Sequence, residues 1–293
     1  MNWRYLKRLA WGVVLLTAIS SNTCTAQQYV KSQSDQVRIP AGDYRIGSDA
    51  EERQWGYRNS PLIVRQQQWY DAWELAPQHQ KLESFLIDRQ PVTQAQFAEF
   101  VSASGHRSPY ISLQDYLEQG FLVHPYEQVV PYLWQQDPSP VGLESQPPAG
   151  LEHHPIVLVS HADAMAYCRW RGLRLPSELE WEAACSGPEK RRFAWGDQWQ
   201  AESLQFNAEG TALVDAHPEG VTPEGVQDML GNVFEWTASP FAGGNSVVLK
   251  GCSWDDAPGT CRCSFRHGRP PSSRHILIGF RCAADVPAQP IVE

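Results

Sequence analysis

Apolar and polar positions alternate from Val37 to Ser48 around a Pro-Ala-Gly-Asp turn, and the pattern predicts a β-hairpin. Residues 49–82 are polar, with scattered Trp and Gln, and predict a long surface loop. The apolar runs Phe85-Leu-Ile-Asp88 and Ile156-Val-Leu-Val159 each predict a short buried strand. Between them, Thr93 precedes Phe97, Phe100 and Val101 at helical spacing. Gln96 completes a capping box, and Gly105 supplies the stop. The same start signal recurs at Ser160 with Asp163 and at Ser177 with Glu180. It predicts two further helices that turn Ala164, Tyr167 and Cys168, and then Trp181 and Ala184, toward a core. After Gly187 the chain breaks into short strands and turns. Helices followed by strands within one chain predict the α+β class.

Residues 107–152 interrupt this order. Tyr110, Tyr116, Phe121, Tyr126, Tyr132 and Trp134 stand among prolines, too apolar for a linker and too broken for long elements. An ordered insertion of short helices that roofs a pocket follows. Composition adds limits: 293 residues with 42% hydrophobic and 19% charged content can bury a core, which excludes global disorder. A net charge of −9, with no basic cluster after residue 30, excludes a nucleic-acid partner.

The first 26 residues run from a basic stretch (Arg4, Lys7, Arg8) through an apolar segment, Leu9 to Ile19, to a polar exit ending at Ala26, the three-part pattern of a secretory signal peptide. The apolar segment is about half of the ~20 residues a membrane span needs, so no transmembrane segment is expected after cleavage. A linker at 27–36 and a tail at 286–293 flank a single domain at 37–285. Export, to the periplasm or the medium, leaves Cys168, Cys185, Cys252, Cys261, Cys263 and Cys282 in an oxidising compartment, where an even count favours disulfides. Residue spacing alone fixes no pairing. Cys261-Arg262-Cys263 reads as alternation on a strand, which suits zinc poorly.

Four ordered segments carry a resemblance. They are Ile39-Pro-Ala-Gly with Ile46-Gly-Ser48; Asp88-Arg-Gln-Pro-Val-Thr93; His154-Pro through Cys168 with Arg174-Leu-Pro-Ser-Glu178 and Glu180-Trp181-Glu182; and Asp228-Met-Leu-Gly-Asn-Val-Phe-Glu-Trp236 with Lys250-Gly-Cys-Ser-Trp254 and Ile278-Gly-Phe-Arg281. The set resembles the formylglycine-generating enzyme, or sulfatase-modifying factor, superfamily. The resemblance implies a C-type-lectin-like variant fold with little regular secondary structure. It implies a calcium ion on Asp228, the carbonyls of Gly231 and Val233, and Glu235. The residues themselves allow this, since two carboxylates around a glycine turn can wrap a hard cation, and they equally allow a tight turn with solvated acids. The resemblance also implies a Cys168–Cys282 bridge. Cys185 matches a family cysteine whose partner position holds Arg266, with Cys263 the nearest substitute; Cys252 and Cys261 are left to bridge each other or to stay free.

In the sulfatase-activating enzymes two cysteines five residues apart bind copper(I) and oxidise a substrate cysteine. Aligned on Gly251-Cys-Ser-Trp254, the second of these is Cys261 and the first is Asp256, whose carboxylate cannot replace a soft thiolate. The candidate catalytic residues are therefore Cys261, Ser253 and Asp256 in a non-orthodox member that is not a formylglycine synthase. Asp255, Asp256 and His267 offer oxygen and nitrogen donors for iron, or a general base; they also fit a plain turn before Pro258-Gly259. Arg262, Arg266 and Arg269 suit an anionic ligand or nearby acids. Two functions are expected: an exported oxidoreductase-type maturation factor acting on a peptide or peptide-derived small molecule, with copper or iron as cofactor, or a non-catalytic ligand- or partner-binding module on the same calcium-stabilised scaffold.

Overall fold

The computed structural model of the chain describes residues 35–120, 124–134, 146–241 and 243–286. The signal-like segment, nearly all of the linker, the tail beyond Val286 and Phe121 lie outside these. Mixed α and β elements build the domain as expected, around three small sheets. The first contains β1 (Gln36–Ile39), β4 (Phe85–Asp88) and β9 (Ala283–Asp285), all antiparallel about β4. The second pairs β2 (Gly42–Ile46) with β3 (Gln78–Leu82). In the third, β7 (Arg266–Arg269), β6 (Val247–Lys250), β5 (Phe234–Pro240) and β8 (Ile278–Gly279) lie in that order, with β5 and β8 parallel.

The expected hairpin over Val37–Ser48 is thus two strands of two different sheets. Ile39 and Ile46 are both buried, but the Pro40-Ala41 link turns the chain from one sheet into the next, and Tyr44 Oη donates to Pro40 O at 2.7 Å to fix that corner. Residues 49–82 are also no loop. They form α1 (Ala50–Arg58), α2 (Leu62–Gln66), α3 (Trp69–Trp73) and β3. Asp49 caps α1 by accepting from Glu52 N at 2.9 Å, and Tyr70 is fully buried beneath. Helices this short, with most of their surface in water, carry too little apolar periodicity to be read.

The three capped helices match their signals. α4 (Gln94–Ser104) has the Thr93–Gln96 capping box and ends on Gly105 in the left-handed conformation. In the insertion, α5 (Leu113–Glu118) and α6 (Tyr126–Val129) are the short helices expected. α7 (His161–Trp170) and α8 (Glu178–Ser186) carry the Ser160–Asp163 and Ser177–Glu180 boxes, and each cap of this type is worth about 1 kcal/mol. Phe97 stacks on Tyr167 with centroids 5.6 Å apart, and Phe280 meets Tyr167 edge-on, so α4, α7 and the C-terminal segment share one aromatic core.

Two further expectations fail. Ile156–Val159 is buried yet not a strand. Leu158 adopts φ +60°, and the backbone is held piecemeal, Ile156 N by Val92 O and Leu158 N by His275 O. Apolar composition there signals depth, not a ladder. Cys261–Cys263 is a turn, in which Cys261 N donates to Pro258 O and all three residues are buried. The disulfides are Cys168–Cys282, Cys185–Cys263 and Cys252–Cys261. The first spans 114 residues, and by loop entropy is worth about 4 to 5 kcal/mol.

Candidate functional site

The site is built on the turn after β6. Gly259 lies so close beneath α1 that an added Cβ would strike Ser60 Oγ and Gly56 O, so only glycine lets the turn seat there. Within it, Ser253 N and Oγ both donate to Asp256 Oδ2, at 2.8 and 2.5 Å, while Asp256 N returns a bond to Ser253 O at 3.1 Å. Ser253 is fully buried. Burial pushes the Asp256 carboxyl up to about 6, and the Ser253 bonds offset only part of this.

Ser253 and Asp256 therefore meet as the sequence suggested. Cys261 stands beside them but is bridged to Cys252, whose Sγ accepts from Gly231 N at 3.0 Å. Among the described residues all six cysteines are bridged, so no thiolate pair is available to copper(I). No group of three His, Cys, Asp or Glu side chains converges as a metal site among those residues. Of the three candidate arginines, Arg262 and Arg266 pair with acids. Arg262 is fully buried on Glu74 at 2.5 Å and lies over the Tyr70 ring, and Arg266 meets Glu178 at 2.9 Å. Arg269, at the end of β7, acts electrostatically on Asp256, His267 and His275.

Sequence reasoning named His267 here but missed His124 and His275. His124 comes from the insertion: its Nε2 lies 3.3 Å from Asp255 Oδ2, its Nδ1 lies 2.6 Å from Gln128 Oε1, and its ring sits 5.0 Å from Trp254 and 5.8 Å from His275. His267 packs 5.0 Å from Trp73 and 5.9 Å from Phe234. A cavity of about 30 Å³ separates His267, Arg269 and His275. Burial holds His267 and His275 down to about 3, with Arg269 adding to the effect at both and His124 at His275, so these two are neutral at physiological pH. The one sequence signal for His124 was its place in an insertion read as a roof.

Of the four residues expected to hold calcium, Asp228 and Glu235 have their carboxylates engaged by protein donors. Glu235 is fully occupied: Arg281 Nε donates to its Oε1 and Oε2 at 3.0 and 2.8 Å, Arg281 Nη2 donates to Oε1 at 2.7 Å, and Trp181 Nε1 donates to Oε2 at 2.7 Å. The same guanidinium takes the carbonyls of Gln227 and Asp228 at 3.0 Å. Asp228 accepts from Asn232 Nδ2 at 2.8 Å, and burial pushes its carboxyl up to about 7, with Asn232 lowering it in part. An internal guanidinium thus stands against the charge of Glu235, and the Gly231–Val233 turn is held by Gly231 N on Cys252 and Trp254 N on Asn232 O. The turn is there, but its two acids are buried rather than solvated as the tight-turn reading had them.

Residues 21–286 match the family described as the sulfatase-modifying factor enzyme 1-like domain. Hercynine oxygenase of Mycolicibacterium smegmatis is 34% identical over 238 residues, which is 70% of this chain and 54% of that protein, so the chain spans about half the length of this relative. The inactive C-alpha-formylglycine-generating enzyme 2 of Mus musculus is 31% identical, with 85% of each chain covered. Among solved structures, PvdO from Pseudomonas aeruginosa superposes with a TM-score of 0.60 at 21% identity, covering 86% of this chain and 94% of that one, a likeness of fold. On the matched span and the shared fold, the chain belongs to the sulfatase-modifying factor, or formylglycine-generating enzyme, family.

Proposed function

We propose that this chain is an exported oxidative maturation factor for a peptide or peptide-derived small molecule, and that Asp256 accepts a proton from the substrate. The observation that carries the reading is the Ser253–Asp256 pair. A desolvated carboxylate with a pKa of about 6 is ionised in most molecules at pH 7 and is more basic than an ordinary aspartate. His275, held neutral by burial, and His124, beside Asp255, would orient a polar substrate group. The Cys252–Cys261 bridge joins both ends of the turn and keeps Ser253 in hydrogen-bonding position. Export is supported by the signal-like segment and three disulfides. An oxidative outcome is supported by the family, which contains a relative named as an oxygenase; dioxygen from outside the chain takes up the substrate's electrons, and formylglycine synthesis is disfavoured by the bridged Cys261 and by Asp256 in the other cysteine's place.

Oxygen uptake by the purified protein with phenol-, thiol- and cyclic-amine-bearing peptides tests this. Turnover should rise through about pH 6. Asp256→Asn should lose about a hundredfold or more, the usual range for a general base. A second reading, a non-catalytic binding module, is favoured by the complete bridging of the cysteines and by the aromatic insertion. Ligand binding that ignores Asp256, with no oxygen uptake for any peptide, would decide for it.

A further inference from the structure

We propose that the cleft between the β2–β3 pair and α1 is a separate binding site for a short zwitterionic peptide, its ammonium end toward Glu51 and its carboxylate end toward Arg45 and Arg192. The cleft encloses about 620 Å³ and shares no lining residue with the Ser253–Asp256 turn. That volume lies in the range of small-molecule sites.

The lining mixes both signs of charge and sorts them by element. From α1 and its cap come only acids, Asp49, Glu51 and Glu52, and from the β2–β3 pair only bases, Arg45 and His79; the loop after α8 adds Lys190, Arg192 and Asp197. Four carboxylates against Arg45, Lys190 and Arg192 leave the cleft close to neutral. An ion of one sign would meet like charge on one wall, whereas a ligand that carries both signs meets opposite charge at each end.

Some of these charges are answered within the protein. Glu52 meets Lys190 at 3.7 Å and Arg262 at 3.4 Å, and Lys190 also reaches Glu182 at 3.4 Å. His79 pairs with Asp43 at 3.2 Å. Asp49 and Asp197 keep their charge, because each accepts only a backbone N–H, from Glu52 and from Arg192, both at 2.9 Å. Among the described residues, none of Arg45, Arg192, Glu51 and Asp197 joins an ion pair. Opposite charges thus share one cleft and stay apart, which leaves the gap between them to a ligand. Arg192 makes the case most directly: its guanidinium lies over the Trp55 ring at 5.5 Å, and its Nε is buried without a hydrogen-bond partner. A buried N–H left unpaired is costly and calls for a bound acceptor, and a carboxylate is the acceptor that a guanidinium fork fits.

The test is isothermal titration of the full chain with trialanine, free at both ends, and with its N-acetyl and C-amide forms. Trialanine should bind, and each blocked form should bind about tenfold more weakly or less, the loss of one charge-assisted hydrogen bond. R45Q combined with R192Q should remove the difference between trialanine and its amide while the thermal melt stays in place. E51Q should narrow the difference from the acetyl form, and it covers the case where the double variant folds poorly. No binding of trialanine, equal binding of either blocked form, or a folded double variant that still discriminates against the amide overturns the proposal.

Discussion

Two groups of carboxylates in this protein, all buried except the half-buried Asp256, are treated in opposite ways. Glu74, Glu182 and Glu235 each meet a buried cation: Arg262 at 2.5 Å, Lys250 at 2.8 Å and Arg281 at 2.7 Å. Burial alone would raise Glu182, yet Lys250 and Lys190 overcome it and hold the carboxyl below its usual value. Asp228 and Asp256 have neutral donors as their nearest partners, Asn232 and Ser253, and burial prevails, lifting them to about 7 and about 6. The difference separates structural charge from available charge. A carboxylate locked to a cation has no proton to exchange near neutral pH, whereas one desolvated among neutral groups does.

The largest effect should come from breaking a locked pair. Arg281→Met strands Glu235 in the core and should cost about 3 to 5 kcal/mol in urea unfolding, most of it recovered when Glu235→Leu is added. Next comes the opposite side of the comparison. A raised carboxyl favours the folded state below its unfolded value of 3.8, and that contribution is lost as pH rises through the folded value of about 7. Asp228→Asn should therefore be more stable than the parent at pH 8 than at pH 4, by a relative gain on the order of 3 kcal/mol. The comparison must be made chain against chain at each pH. His267 and His275 are depressed to about 3, so they lose stability as pH falls through the acid range and mask the trend in the parent alone.

A smaller effect should follow from removing the bridge at the candidate site. Its separation of 9 residues makes Cys252→Ser with Cys261→Ser cost about 2 to 3 kcal/mol. Loosening the turn should also hydrate Asp256 and lower the pH at which activity rises, whereas a rise that stays at pH 6 would mean that the bridge does not hold the carboxylate in place. Calcium should do least. With Glu235 occupied by Arg281 and Trp181, melts in calcium chloride and in a chelator should agree within about 1 °C, and a calcium-dependent increase would restore the ion to this loop.

Much of this was legible in the residues. Thr93, Ser160 and Ser177 announce their helices because a capping box is local chemistry, complete within four residues. Val37–Ile46 shows the limit of such signals: its alternation marks strands correctly but not their partners, since β1 finds β4 and β2 finds β3 across intervening chain. Ser253 and Asp256 could be chosen because the family resemblance aligns on Gly251–Trp254 and puts Asp256 in a cysteine's place. His124 could not be joined to Asp255, 131 positions away in the chain.

By itself, then, the sequence determined the capped helices, the class of the fold and the substitution of Asp256 for a thiol, all of which rest on short-range bonding or on residue identity. Only the tertiary structure decided that Cys261 pairs with Cys252, that Arg281 pairs with Glu235, and that Asp256 is desolvated. Those outcomes depend on which groups packing brings within bonding distance and on how much water it removes, and neither quantity is written in the order of residues.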